Sequence, residues 1–182
     1  GTIIAFLAAK ISNFINNLKK GLSSVIDTNH YVIVGWNYSI FKVFEEIKIA
    51  NENQSKPTIL CFNGMDNIKM NTKINLEYPN QKGIRILTRS GDIYSPQDLA
   101  RTNMINSKSV IILYDTILPN FNIETTILAS KTNFKKHTIP LIVQMENDSN
   151  IPLLSEIMEN QVYPIHKDKI ISNVTSQSIR NK

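Results

Sequence analysis

The residues of this chain whose types and places suit ligand chemistry are Gly35-Trp36-Asn37, Asn63, Gly91-Asp92, Asp115 and Glu146. Gly35, Asn37 and Ile40 fall at the spacing of a dinucleotide fingerprint. That fingerprint wants three glycines: one for the turn, one for close approach of pyrophosphate, one for helix–strand packing. Only the first is present. Asn37 carries a side chain where the phosphate must come near, and the ribose-binding acid expected at the end of the second strand is Asn63. Asp66 follows too late to replace it. These departures argue against hydride transfer and against NAD as a cofactor. A nucleotide in another pose would still find an anion-attracting helix N-terminus after Gly35.

Other reactive types lack partners. His30, His137 and His166 are scattered, with no metal or triad spacing, and no Ser–His–Asp or paired-carboxylate arrangement is visible. Cys61, in mid-strand, reads as a buried inert thiol. Trp36 suits packing at its turn better than stacking on a ligand. Asp92 suits turn amides as well as it suits a ligand. Asp115 and Glu146 read as solvated loop carboxylates before any other role, and Lys135-Lys136 as a solvated helix end.

These residues need a scaffold, and the apolar pattern supplies one. Short apolar runs at Tyr31–Gly35, Thr58–Phe62, Ile84–Thr88, Ser109–Tyr114, Leu141–Met145 and Val162–Ile165 predict six strands. Between the first two, Ile40, Val43, Phe44 and Ile47 keep helical spacing. Ser95-Pro96-Gln97-Asp98 predicts a helix start, with Ser as N-cap, Pro in the first turn and Asp closing a capping-box-like contact. Further helices are expected over 123–134 and 152–159. Continuous apolar strands alternating with helices predict an α/β, doubly wound, Rossmann-like parallel sheet. Ligands of such sheets bind at the carboxyl ends of the strands, where Gly35-Trp36-Asn37, Asn63-Gly64, Ser90-Gly91-Asp92, Asp115 and Glu146 fall.

The segment before the sheet differs. Thr2–Ala9 is apolar on all faces, but too short to span a bilayer, which needs about 20 residues. Ile11, Phe14, Ile15 and Leu18 continue with helical spacing, and Lys19-Lys20-Gly21 closes the helix. An apolar run ending in an amphipathic, acid-free, Lys-bearing stretch has the character of the cytosolic exit of a transmembrane helix, or of a helix docked on the domain. The chain has 182 residues, enough for one α/β domain with a short appendage. Starting at Gly1 without an initiator Met or a cleavage site, it is expected to be a fragment. Hydrophobic residues at 42% support a packed core, and one Cys excludes a disulfide framework or a multi-Cys metal site. Net charge is +5, yet the basic residues form no stripe, so no nucleic-acid partner is expected.

Taken together these residues resemble the regulator-of-conductance (RCK, TrkA-N-like) domains of ligand-gated cation channels, and within them the Castor/Pollux branch. His30-Tyr31-Val32-Ile33-Val34-Gly35-Trp36 is similar to the first strand and Gly-Trp turn of that family. Ser90-Gly91-Asp92, then Asp98-Leu99-Ala100-Arg101-Thr102-Asn103-Met104, then Ser109-Val110-Ile111-Ile112, resembles its third strand, third helix and fourth strand. Leu18-Lys19-Lys20-Gly21, leading to Trp36, resembles the pore-to-domain linker. The resemblance implies residues 1–28 as the inner end of a pore-lining transmembrane helix and its linker, 29–165 as the RCK-like domain, and 166–182 as the start of a crossover helix. It implies a non-catalytic gating domain on the cytosolic face of an integral membrane protein. Copies would assemble into a tetrameric channel's gating ring, with potassium as the permeant ion. Ligand contacts would come from Gly35, Trp36, Asn37, Asn63, Gly91 and Asp92. Calcium, the candidate cation, would lie at Asp115 and Glu146, a site weakened because its expected second fifth-strand carboxylate is the neutral Gln144. The alternatives left open are a nucleotide-binding Rossmann oxidoreductase-like domain and an assembly module that senses nothing.

Overall fold

Alternation along the strands sorts the core into two halves. In β1 (Tyr31–Val34), Tyr31 and Ile33 point to one face of the sheet and Val32 and Val34 to the other. The structure, a computed structural model, describes residues 2–114, 126–127, 129, 139–145 and 162–166. After β1 come α2 (Ser39–Ala50), β2 (Thr58–Asn63), α3 (Asn67–Glu77), β3 (Arg85–Ser90), α4 (Pro96–Ala100), a 3₁₀ turn (Met104–Asn106), β4 (Ser109–Ile112), β5 (Leu141–Met145) and β6 (Val162–His166). They are preceded by α1 (Thr2–Lys19). The six strands form one parallel sheet in the order β3-β2-β1-β4-β5-β6. The strand order reverses between β1 and β4, the place where doubly wound sheets open a crevice.

α2 forms as its pattern predicts. Ile40, Val43, Phe44 and Ile47 are buried on one face, against Ile33, Ile59 and Cys61. Each such side chain contributes about 1.5–3 kcal/mol on burial. On the opposite face, Leu99 and Met104 pack with Val32, Val34, Leu60, Phe62, Val110 and Ile112. Ser95 caps α4 through its Oγ, which accepts the Asp98 N–H at 3.2 Å. The return contact of a capping box is replaced: the Asp98 carboxylate accepts the Asp92 N–H at 2.8 Å instead. Of the helix expected over 123–134, Thr126, Ile127 and Ala129 are helical. The rest of it, the helix over 152–159 and residues 167–182 lie outside the described residues.

α3 has no counterpart in the sequence reading. Only Met70 and Ile74 give it a buried apolar stripe, one turn apart. Its start is set by Asp66, whose Oδ1 accepts the N–H of Ile68 at 3.0 Å and of Lys69 at 3.1 Å. The carboxylate that comes too late for a ribose is therefore a helix cap.

α1 ends as predicted. Gly21 takes φ +70°, the Leu22 N–H reaches Asn17 O and the Gly21 N–H reaches Leu18 O, each at 3.0 Å. This is the Schellman arrangement. No residue of α1 is buried. Ile3, Ile4, Phe6, Leu7, Ile11 and Phe14 are all more than half exposed. Among the described residues no helix is long and apolar enough to cross a membrane.

Candidate functional site at the carboxyl edge of the sheet

The carboxyl ends of β1, β2 and β3 bring six of the predicted residues to one edge. Gly35 donates its N–H to Phe62 O and Gly91 to Asn63 O, both at 3.1 Å, so the three strand ends are tied in sequence. Gly35 has φ +91°, and a Cβ there would stand 2.4 Å from the Leu113 carbonyl oxygen. The close approach of the chain after β4, whose Leu113 N–H bonds Val34 O at 2.8 Å, explains this glycine without a phosphate.

Asn37 bridges the strand-order switch. Its Nδ2 donates to Gln144 Oε1 at 2.7 Å and to the Tyr114 carbonyl. Its Oδ1 accepts the Ser39 N–H at 2.8 Å. Gln144 is itself buried, its Oε1 also accepting the Tyr114 N–H at 3.1 Å. So the ends of β1, β4 and β5 are locked by two side-chain amides. The lock uses an N–H at the start of α2 that an anion would otherwise meet, and it engages the Gln144 oxygen within the protein. Trp36 is buried in the core cluster, edge-on to Phe41 with ring centroids 6.3 Å apart. It packs, as its turn position suggests.

The other half of the edge is a second knot. Asn63 is buried and its Oδ1 accepts the Met65 N–H at 2.7 Å, shaping the turn into α3. Asp92 is exposed and its Oδ1 accepts the Tyr94 N–H at 2.9 Å. A Cβ on Gly91 would meet Arg101 Nη2 at 2.4 Å, Phe62 Cζ at 2.7 Å and Asp98 Oδ2 at 2.9 Å. Asp98 and Arg101 form an ion pair with oxygen and nitrogen 3.3 Å apart. Sequence reasoning treated Asp98 and Arg101 as helix residues and missed their place at this edge. An acid and a base one helical turn apart beside Gly91-Asp92 was the available signal.

Asp115 and Glu146 lie outside the described residues. Among the described residues no three His, Cys, Asp or Glu side chains are grouped as a metal centre requires. Burial pushes the Cys61 thiol well up, and the thiol is inert. His30, fully buried, donates from Nε2 to the Thr102 carbonyl at 2.9 Å. Burial lowers its pKa, and among the described residues its Nδ1 has no hydrogen-bond partner.

No protein-family model matches the chain. A probable ion channel POLLUX of Arabidopsis thaliana is 26% identical over 112 residues, covering 62% of this chain and 14% of the relative. Ion channel CASTOR of Lotus japonicus is 27% identical over 111 residues, covering 61% and 13%. The homologues of this chain are Castor and Pollux ion channels. The chain thus spans about an eighth to a seventh of the length of its Castor and Pollux relatives. Solved structures agree on the fold. The RCK domain of GsuK superposes with a TM-score of 0.53 at 16% identity, covering 75% of this chain and 26% of that one. GsuK bound to ADP superposes with a TM-score of 0.54 at 14% identity, covering 83% and 37%. The six-stranded parallel sheet is therefore an RCK-like fold.

Proposed function

We propose that this chain is the regulatory domain of a cation channel, which senses a ligand at the carboxyl edge of its sheet and passes the response to a pore through α1. The observation that carries this reading is the homology to Castor and Pollux ion channels over more than half of the chain. Two features of the fold support it. Gly35, Trp36, Asn37, Asn63, Gly91 and Asp92, the residues expected to contact a ligand, follow or end neighbouring strands on one edge of the sheet. And α1 leaves the body with its apolar side chains uncovered and its end marked by Lys19 and Lys20, as the inner end of a pore-lining helix would. In this reading four copies assemble into a ring on the cytosolic face, the permeant ion is potassium, and the domain has no catalytic role. A ligand acts by preferring one state of the ring over the other.

Calcium is the proposed ligand, held between Asp115 and Glu146. The ends of β4 and β5, which these residues follow, are paired neighbours about 5 Å apart. With the Gln144 oxygen already engaged by Asn37 and Tyr114, two carboxylates remain, and affinity should fall in the weak class of roughly 10⁻⁴–10⁻³ M. NAD is not expected to bind tightly. Asn37, Ile40 and Asn63 stand at the fingerprint positions, and Asn37 is committed to the bridge.

The test is current recording from the full-length protein in planar bilayers, with calcium stepped through the millimolar range. Open probability should change with calcium, and Glu146→Gln should abolish the change. Currents indifferent to calcium would remove the proposed ligand. No cation current at all would remove the channel reading. Calorimetry with NAD giving a dissociation constant at or below about 1 μM, some −8 kcal/mol, would overturn the reading of the crevice.

A further inference from the structure

The connection between α1 and β1 forms no strand of the sheet, yet it alternates with a period of two. Gly21, Ser23, Val25 and Asp27 are buried or half-buried, while Leu22, Ser24, Ile26 and Thr28 are exposed. Such alternation belongs to an extended segment with one side against a surface. The inward side is fastened at every second residue. Asn67 Nδ2 donates to Lys19 O at 3.0 Å, the Ser90 N–H to Gly21 O at 3.1 Å and Arg89 Nε to Ser23 O at 2.8 Å. The Val25 N–H donates to Arg101 O at 2.8 Å, Asn103 Nδ2 to Asp27 O at 2.9 Å and the Asn29 N–H to Asn106 O at 2.8 Å. Arg85 adds an ion pair to the Asp27 carboxylate at 2.6 Å.

This strap meets the carboxyl edge at Ser90. The Ser90 N–H holds Gly21 O, its carbonyl accepts Arg101 Nη2 at 2.9 Å, and its Oγ donates to Met65 O at 2.8 Å. Arg101 pairs with one oxygen of Asp98, and the other Asp98 oxygen holds the Asp92 N–H. A continuous polar path therefore runs from the Gly91-Asp92 turn through Asp98 and Arg101 to both Gly21 and Val25. The space above Gly91 is filled by Arg101 and Asp98, so the turn and the pair have to move together.

We propose that Asp98 and Arg101 are positioning residues that couple the Gly91-Asp92 turn to the α1 connection, so that a ligand seated on the turn alters how firmly the base of α1 is held. The use of the coupling rests on the channel reading; the coupling itself is a property of this chain. Coupling of this kind is reciprocal: loosening either end must loosen the other.

The test is site-resolved backbone amide hydrogen exchange on the 182-residue chain. Asp98→Asn replaces one of the two acceptor oxygens by an NH2 donor, which faces either the Asp92 N–H or the Arg101 guanidinium and so weakens that link. Exchange at Val25 and Ser90 should accelerate by at least about tenfold, the low end for losing one charge-assisted hydrogen bond. Ile33 and Leu60, in the centre of the sheet, should be unchanged. The reciprocal variant is Arg89→Ala, which frees Ser23 without touching the turn. It should accelerate exchange at Asp92. A change confined to the altered residue's own neighbourhood in both variants would overturn the proposal, as would unprotected Val25 and Asn29 amides in the wild type. Should Asp98→Asn accelerate the whole sheet, the Asp92 amide of Arg89→Ala decides: acceleration supports the coupling, none refutes it. A channel that ignores ligands while the exchange coupling persists would refute the channel reading alone.

Discussion

Asn37→Ala isolates the bridge across the strand-order switch. The alanine removes three hydrogen bonds: to Gln144 Oε1, to the Tyr114 carbonyl and from the Ser39 N–H. A net hydrogen bond contributes about 0.5–1.5 kcal/mol, giving roughly 1.5–4.5 kcal/mol for the set. Two features trim this. Gln144 Oε1 keeps the Tyr114 N–H, so it is not orphaned. Ser39, at the start of α2, is half-buried, so water reaches its N–H in part. A loss of about 2–3 kcal/mol follows. For a domain of this size, with a urea slope of about 2 kcal/mol per molar, the midpoint should fall by about 1–1.5 M. The melting temperature should drop by roughly 5–10 °C. Equilibrium urea unfolding followed by far-ultraviolet circular dichroism measures it. A midpoint shift below about 0.3 M with an unchanged slope would mean the amide is dispensable to the fold, and the assignment of its hydrogen bonds to structure would be wrong.

The other predictions concern groups whose environment is equally defined. Gly35→Ala should cost roughly 2–4 kcal/mol, from the positive φ and the displaced Leu113 carbonyl; a loss under about 1 kcal/mol in urea unfolding would contradict the close approach. Burial lowers the His30 pKa below its ordinary value near 6.5. Above that value the imidazole is neutral whether folded or unfolded. Below it the unfolded chain takes the proton first, so stability falls on acidification, by up to about 1.36 kcal/mol per pH unit. The difference in urea midpoint between wild type and His30→Gln, followed from pH 7.5 to 5, should narrow as the pH falls; a constant difference would exclude His30 as the source. Cys61, buried in mid-strand, should resist iodoacetamide in the native chain and react stoichiometrically in urea, as read by mass spectrometry.

Strong periodic signals were legible before any coordinates. Ile40, Val43, Phe44 and Ile47 declared α2, Ser95-Pro96 the start of α4, Gly21 the end of α1, and the continuous apolar runs a parallel sheet. α3 was hidden because its stripe is only Met70 and Ile74 in a run of Asn and Lys, and because a lone Asp is a weak start signal until its amides are seen. The edge was legible as a list of residues and illegible as a network. Asn37 reads as a defect in a glycine pattern, and only the fold brings it to Gln144, more than a hundred residues later. Asp98 reads as half of a capping box, and its preference for the Asp92 amide depends on a turn whose geometry local pattern does not encode. The strap was equally silent: its inward and outward alternation carries one small, one polar, one apolar and one acidic residue on the buried side, so hydrophobicity does not mark the period.

The Schellman turn at Gly21 also sets a lever. Seventeen residue steps separate Thr2 from Lys19, so α1 extends about 26 Å from its base. None of its residues is buried; its last carbonyl, Lys19 O, accepts from Asn67 Nδ2, and Gly21 O just beyond the helix accepts the Ser90 N–H. A tilt of about 10° at that base carries the far end of the helix about 4.5 Å, close to one helical turn. The short arm of this lever is a few bonds at the end of β3, and the long arm is the whole of α1. A displacement at the β3 turn that tilted α1 would be larger at Thr2 than at Gly21 in proportion to the length of the helix.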